Sequence, residues 1–361
     1  MAALAPIINP TVAAIYRGYE SKPDAPRPHL GASVIGRECE RALWYSFRWA
    51  YREVFNGQKL RLFSRGHREE QWFADDLRSV GIQLHTIGPD GKQFSYSAVG
   101  GHVGGSMDGA GIGFAEAPKS WHVVEFKTHS DKSYRTLESN GVQKAKPEHW
   151  AQMQLYMHWS GMDRAFYLGV NKNTDELYSE RVELDRDAAK ALENKAHRIV
   201  TASEPLERIN ESPEFFVCKM CPAAQLCRSA IGVKVNCRTC LHATPERDGV
   251  ARWSCALHKR DLSQAEQMAG CSGHRLIPAL LTWATPIDGD AEQNWVKYTT
   301  AAGTEFQNGG ANGYSSVELS AGADVAKAID SPTVQELRAA FPGSNMKFTP
   351  RAAIPDSEVP Y

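Results

Sequence analysis

The sequence predicts an α/β fold in which a mixed sheet is flanked by helices. Three features carry this expectation. Apolar residues recur at helical spacing early in the chain, short alternating segments fill its middle, and helical patterns return between and after them. Two cysteine-rich segments then predict a metal-binding module, and the polar stretch beyond residue 283 a small C-terminal module.

The first thirty residues contain Pro6, Pro10, Pro23, Pro26 and Pro28 and read as an arm. From Ser33 to about Asn56 the pattern is helical, with Leu43, Phe47 and Tyr51 on one face. A second helix is expected from Ser64 to Val80, where Phe73 and Leu77 lie one turn apart and Gly81 ends it. The period then shortens. IQLHTIGPDGKQFSYSAVGGHVGGSMDG alternates and is broken by Pro-Asp-Gly and Gly-Gly, the mark of short strands and hairpins. WHVVEFKT (121–128) reads as a strong strand, Glu148 to Ser160 as an amphipathic helix, and AFYLGVNK with ELYSERVEL as a hairpin. A charged helix from Arg186 to about Ala202 closes the region. In the tail, NGGANG lies between polar strands, and a helix is expected over Thr333–Phe341. The expected domains are 1–30, 31–232, 233–282 and 283–361.

Composition narrows the class. The 361 residues are 42% apolar and 23% charged, as in an ordinary globular protein. No run of some eighteen apolar residues is present to span a bilayer, and MAALAPIINP lacks the basic start and apolar core of a secretory signal. The expected location is the cytoplasm, that of the host if a phage encodes the chain. A net charge of −1 excludes a global basic field, so any nucleic-acid contact must come from local patches. Eight cysteines in such a chain point to metal rather than disulfides.

The chemistry gathers at Asp108, in SMDG, and at Glu125-Phe126-Lys127 seventeen residues later. On a strand Glu125 and Lys127 share one face, while Val124 and Phe126 take the apolar one. If the strand ending at Asp108 neighbours this one, three polar groups converge. Two carboxylates suit Mg²⁺ or Mn²⁺, which polarises a phosphodiester and helps generate a hydroxide, and a lysine beside them orients water or stabilises charge on the phosphate.

Five elements in order resemble the PD-(D/E)xK (restriction-endonuclease-like) nucleases, in the RecB-type and lambda-exonuclease-type branch that includes CRISPR-adaptation exonucleases and phage relatives. Ser33 with Cys39-Glu40-Arg41 and Tyr45 resembles the opening helix, and Gly66 with Glu70 the helix that supplies an acidic or histidine ligand. Asp108-Gly109, Glu125-x-Lys127 and Gln152-x-x-x-Tyr156 complete the set, from Ser33 to Cys227. The resemblance implies a catalytic set of Asp108, Glu125, Lys127 and Glu70. Asp108 and Glu125 would hold Mg²⁺ or Mn²⁺, Lys127 would serve the nucleophile, and Glu70, with His67 as its rival, would be a further ligand. Gln152 and Tyr156, one turn apart, would lie beside DNA.

Cys39 with Cys218-x2-Cys221-x5-Cys227 resembles the [4Fe–4S] staple of this branch, which ties the start of the domain to its end. Zinc suits the same four thiolates. Cys237-x2-Cys240, Cys255 and Cys271 have the spacing of a closed zinc site, with His242, His258 and His274 as possible substitutes. Trp253 and Lys259-Arg260 are candidates to touch nucleic acid or simply part of the zinc fold.

The leading expectation is therefore a metal-dependent DNA exonuclease of recombination, repair or phage DNA metabolism. A structure- or sequence-specific endonuclease uses the same groups. The different-class readings are an inactive scaffold binding DNA or protein, and an iron–sulfur redox protein. Expected partners are DNA and a recombination protein, and ring-forming relatives make an oligomer an option.

Overall fold

The computed structural model describes residues 9–22, 25–228, 231–322 and 324–344. They fall into two compact units, each discontinuous in sequence. The first takes in the described parts of Met1–Leu43, Glu53–Thr201 and Glu246–Arg252, and the second those of Trp44–Arg52, Ala202–Pro245 and Trp253–Tyr361. Among the described residues no helix is long and apolar enough to cross a membrane.

The first unit opens with helix α1 (Pro10–Glu20) where the sequence suggested only an arm. Pro10 fits the first helical turn, which needs no N–H there, and the Asn9 side chain accepts from the amides of Thr11 and Val12. The expected long helix from Ser33 is instead a 3₁₀ turn at Ala32–Val34 followed by α2 (Glu40–Phe47), which runs on into the second unit. The helical path ends before Trp49, whose φ of 52° lies in the left-handed region. Helix α3 is longer than its pattern, Gly57–Ser79, because Asn56 caps it by accepting from Lys59 N at 2.9 Å.

Strand β1 (Leu30–Gly31) lies where no strand was expected, while β2 (Gln83–His85), β3 (Ser95–Ala98), β4 (Val103–Ser106) and β5 (Gly109–Ile112) follow the hairpin signals. β6 (His122–His129) is the predicted strong strand. No periodic pattern announces α4 (Asp131–Ala145), whose helical path is broken at Gly141, φ 71°. The chain continues through α5 (Pro147–Ser160), the hairpin β7 (Arg164–Asn171) and β8 (Leu177–Glu183), and α6 (Arg186–Thr201).

The main sheet has the order β2-β5-β6-β7-β8, with β6 and β7 parallel and the other neighbours antiparallel. A smaller sheet, β1-β4-β3, stands beside it. On one face of the main sheet Phe73 and Leu77 of α3 pack on Val124, Phe126, Phe166 and Leu168, and Phe73 stacks on Phe126 at 5.0 Å. This is the apolar face that strand alternation required. α5 is not amphipathic as expected: Ala151 to Met157 are all buried, because the helix packs against α4, α6, β3, β6 and β7.

The second unit holds two three-stranded antiparallel sheets. One joins β9 (Ala243–Pro245), β10 (Trp253–Cys255) and β11 (Arg260–Asp261), and the other β12 (Ala284–Asp290), β13 (Trp295–Thr300) and β14 (Glu305–Gly309). After NGGANG only a single bridge forms, Asn308 to Tyr314, in place of an expected strand. The last predicted helix is present as Pro332–Ala340. Trp253 is fully buried, so it is a core residue of this unit and not a contact for nucleic acid.

Candidate active site

Asp108 does not sit on a strand paired with β6. It lies in the step from β4 to β5, and β5 is the strand that pairs with β6, Gly109 opposite Val124. One carboxylate oxygen of Asp108 accepts from Phe126 N at 2.8 Å. The β6 backbone thus holds Asp108 between Glu125 and Lys127, which share the other face.

Glu125 is fully buried, and Lys127 Nζ donates to its Oε1. Its Oε2 is buried with no hydrogen-bond partner. Burial, reinforced by the charges of Asp108 and Glu70 and opposed by Lys127, pushes the Glu125 carboxyl up to about 8. Burial and then Asp108 also raise Glu70, which reaches the site from α3. Burial depresses Lys127, but Glu125, Asp108 and Glu70 outweigh it and hold the ammonium above its ordinary value.

These groups open on a cleft of about 640 Å³ that Asp108, Lys127, Glu70, His67, Gln152 and Tyr156 all line. His67 Nδ1 and Glu70 Oε1 are 3.2 Å apart, so the two rivals for one role stand together. Tyr156 OH donates to Ser106 O at 2.8 Å and Gln152 Nε2 lies 3.4 Å from that hydroxyl. Burial raises the Tyr156 phenol, with Glu125 adding to the effect. Both residues line the cleft and brace the strand that leads to Asp108. Gly105 makes this possible, since a Cβ there would stand 2.4 Å from the Tyr156 hydroxyl.

The donor set fits a hard divalent cation. Two carboxylates converge, and one oxygen of the buried member lacks the partner that a buried polar atom needs. Among the described residues no three His, Cys, Asp or Glu side chains stand together in a position to hold a metal ion. Mg²⁺ does not need three, because it keeps several waters and takes one or two carboxylates with substrate phosphate.

No family model matches the chain, and no curated protein matches it. Two solved structures with partial likeness are an alkaline exonuclease, LHK-Exo, from Laribacter hongkongensis, and LHK-Exo in complex with dAMP. They are 14% and 15% identical, each with a TM-score of 0.35, and the match covers 52% of this chain and 90% of theirs. At that TM-score the likeness carries no argument, and the site stands on its own geometry.

Sequence reasoning missed several cleft residues. Arg27 and His29 come from the stretch read as an arm, and Gln93, Ser95 and Ser97 from the hairpin. Pro-Arg-Pro-His was the available signal, a stiffened segment carrying two cationic or polar heads. The cysteines divide between the units. Cys39 precedes α2 in the first, while Cys218, Cys221 and Cys227 lie in the second, in and between the short helices α7 (Phe216–Lys219) and α8 (Ala224–Cys227). Cys237, Cys240, Cys255 and Cys271 all line one cavity of the second unit.

Proposed function

We propose that the cleft of the first unit is the catalytic centre of a Mg²⁺- or Mn²⁺-dependent deoxyribonuclease of the PD-(D/E)xK type, acting on DNA ends. The observation that carries this reading is the buried, partnerless oxygen of Glu125 behind Asp108 and Lys127, which line an open cleft. A neutral cleft has no use for such an arrangement, because an unpaired buried carboxylate oxygen is costly.

In this reading Asp108 and Glu125 hold the cation, with Glu70 as a further ligand or water-orienting base. The cation supplies polarisation of the phosphodiester and acidity to a water. Lys127 remains protonated among three carboxylates and donates to the phosphate oxygen on which charge develops. Phe126 N fixes Asp108, so the carboxylate costs nothing to organise during reaction. Gln152 and Tyr156 shape the wall that the DNA backbone follows, and polar side chains opposite them complete it.

The remaining assignments rest on the resemblance to this nuclease branch and, for the second cysteine set, on sequence spacing. We assign Cys39, Cys218, Cys221 and Cys227 to a [4Fe–4S] cluster and Cys237, Cys240, Cys255 and Cys271 to zinc, both structural. The chain would act on DNA in recombination, repair or phage DNA metabolism, in the cytoplasm, with a recombination protein or further copies of itself as partners.

The test is cleavage of end-labelled linear and circular DNA by anaerobically purified protein with Mn²⁺ or Mg²⁺, beside Lys127→Ala. Cleavage of linear DNA alone, abolished by EDTA and by the substitution, supports the exonuclease, and nicking of circles makes the enzyme an endonuclease. A folded, metal-loaded chain that cuts no DNA form is a binding scaffold.

A further inference from the structure

The first half of α3 carries charge that helix formation does not explain. Residues 57–68 hold Lys59, Arg61, Arg65 and Arg68 and no carboxylate, in a chain whose net charge is −1. Peptide dipoles make a helix N-terminus positive, so cations there are unfavourable and carboxylates favoured. No acidic side chain stands in the first turn of α3, and Glu20 of α1 reaches across to accept from Gly57 N at 2.6 Å. The cations weaken this end of the helix, so their use lies elsewhere.

Arg61 and Arg65 lie one turn apart and share a face. They stand roughly 140–180° around the helix from Glu70, away from the catalytic cleft. With Lys59, Lys172, Tyr16 and Phe55 they line a second groove of about 690 Å³, and the two share no lining residue among those described. Four cations meet one carboxylate in its wall, Glu53. Arg65 is engaged by Glu69 at 3.1 Å and by the carbonyl of Lys172. Among the described residues Lys59, Arg61 and Lys172 have no ion-pair partner.

The groove is apolar as well as cationic. Phe55 and the exposed Val54 and Leu62 belong to the same wall. The Phe55 ring meets the exposed Phe63 edge-on at 5.1 Å, and Lys59 Nζ lies 5.5 Å from the Phe63 ring. Free cations call for an anion, and an exposed apolar wall for a ligand with flat apolar faces. Duplex DNA buries its base faces and would show this wall only phosphate and sugar. An acidic peptide answers the cations alone. A single strand carries phosphates and unstacked bases in alternation and matches both.

We propose that this groove binds a segment of single-stranded DNA, with phosphates on Lys59, Arg61 and Lys172 and bases against Phe55 and Leu62. That the strand is DNA rather than RNA rests on the nuclease reading of the cleft, whereas the preference for a single strand rests on the groove itself. The strand is held on the far side of α3 from Glu70, where it is bound without being cut.

The test follows the anisotropy of fluorescein-labelled oligo(dT) titrated with the full chain in EDTA, over a series of salt concentrations. The variant is Lys59→Glu with Arg61→Glu. It should bind roughly tenfold more weakly or worse, with a salt slope flatter by about 1.4, two phosphate contacts at about 0.7 each. Because both new carboxylates lie near the helix N-terminus, the urea unfolding midpoint should hold or rise. A loss of binding is then not a loss of fold. Unchanged affinity and slope overturn the proposal, as does equal competition by polyglutamate or by a duplex of the same length. Tighter binding of oligo(U) than of oligo(dT) overturns the choice of DNA. Cleavage with Mn²⁺ is read separately: a chain that binds oligo(dT) through Lys59 and Arg61 but cuts nothing sinks the nuclease reading and upholds the groove.

Discussion

Both units bury ionisable groups, and they do so to opposite ends. In the first, Glu125 is wholly buried, has one oxygen on Lys127 and leaves the other without a partner beside an open cleft. In the second, Arg48 and Arg238 are buried among Trp44, Phe47, Trp49 and Trp253, with the Arg238 guanidinium 3.6 Å from the Trp49 ring. Arg48 donates to the carbonyls of Ala202, Arg238 and Ala243, and Arg238 to that of Phe47 and to Gln267 Oε1. Burial lowers Arg48 to about 10 and Arg238 to about 9, yet both stay cationic at neutral pH. Arg48 Nε makes no hydrogen bond there. Buried charge by itself therefore does not mark a site. What differs in the first unit is a buried carboxyl oxygen left unsatisfied behind residues that line a cleft, whereas cations stacked on indoles and spent on carbonyls hold a core together.

The largest expected effect tests the first half of this contrast. Lys127→Ala should lower metal-dependent cleavage of end-labelled DNA by about 100- to 1000-fold, the scale of a lost charge-stabilising donor. Its unfolding midpoint should change little by comparison. Arg238→Ala should do the reverse: a loss of about 3 kcal/mol or more in urea unfolding, from the cavity left in the indole cage, with the cleavage rate per folded molecule kept. If both variants lost cleavage equally, the contrast would collapse.

A smaller effect concerns the wall behind Lys127. His129 Nε2 and His149 Nδ1 both meet Tyr167 OH, at 2.8 and 3.0 Å. Burial, with Lys146 and Lys127 adding, lowers His129 to about 4, and burial with Lys127 lowers His149 to about 2. The unfolded chain takes up these protons first, so stability present in full above about 6.5 is lost as pH falls through 4. Urea unfolding at pH 7 and 4.5 should differ by roughly 1–3 kcal/mol from His129, and His129→Asn should flatten that slope. The smallest change is Asn56→Ala, which removes the α3 cap and should cost about 1 kcal/mol in unfolding without shifting metal affinity.

Much of the site was legible because strand alternation is rigid. Glu125 and Lys127 had to share a face, and Phe126 had to reach the core that holds Phe73. Asp108 was singled out only on the condition that its strand neighbours β6, and which of two short strands pairs with β6 depends on contacts that spacing does not encode. Arg27 and His29 were lost in a proline-rich stretch with no period to read. α4 was invisible because Gly141, Ser139 and Asn140 are poor helix formers, and only packing against α5, β6, β7 and β8 holds it. The Arg48–Arg238 cage could not be read either, because its members lie far apart in the chain.

That distance has a consequence for synthesis. Arg48 is made 154 residues before Ala202 and 190 before Arg238, the residues that receive or adjoin it. At about 5–20 residues per second, the interval on the ribosome is roughly 8–40 s. Throughout that time Trp44, Phe47 and Trp49 have left the tunnel without the residues that will bury them, an early apolar handle on the nascent chain for whatever shields it.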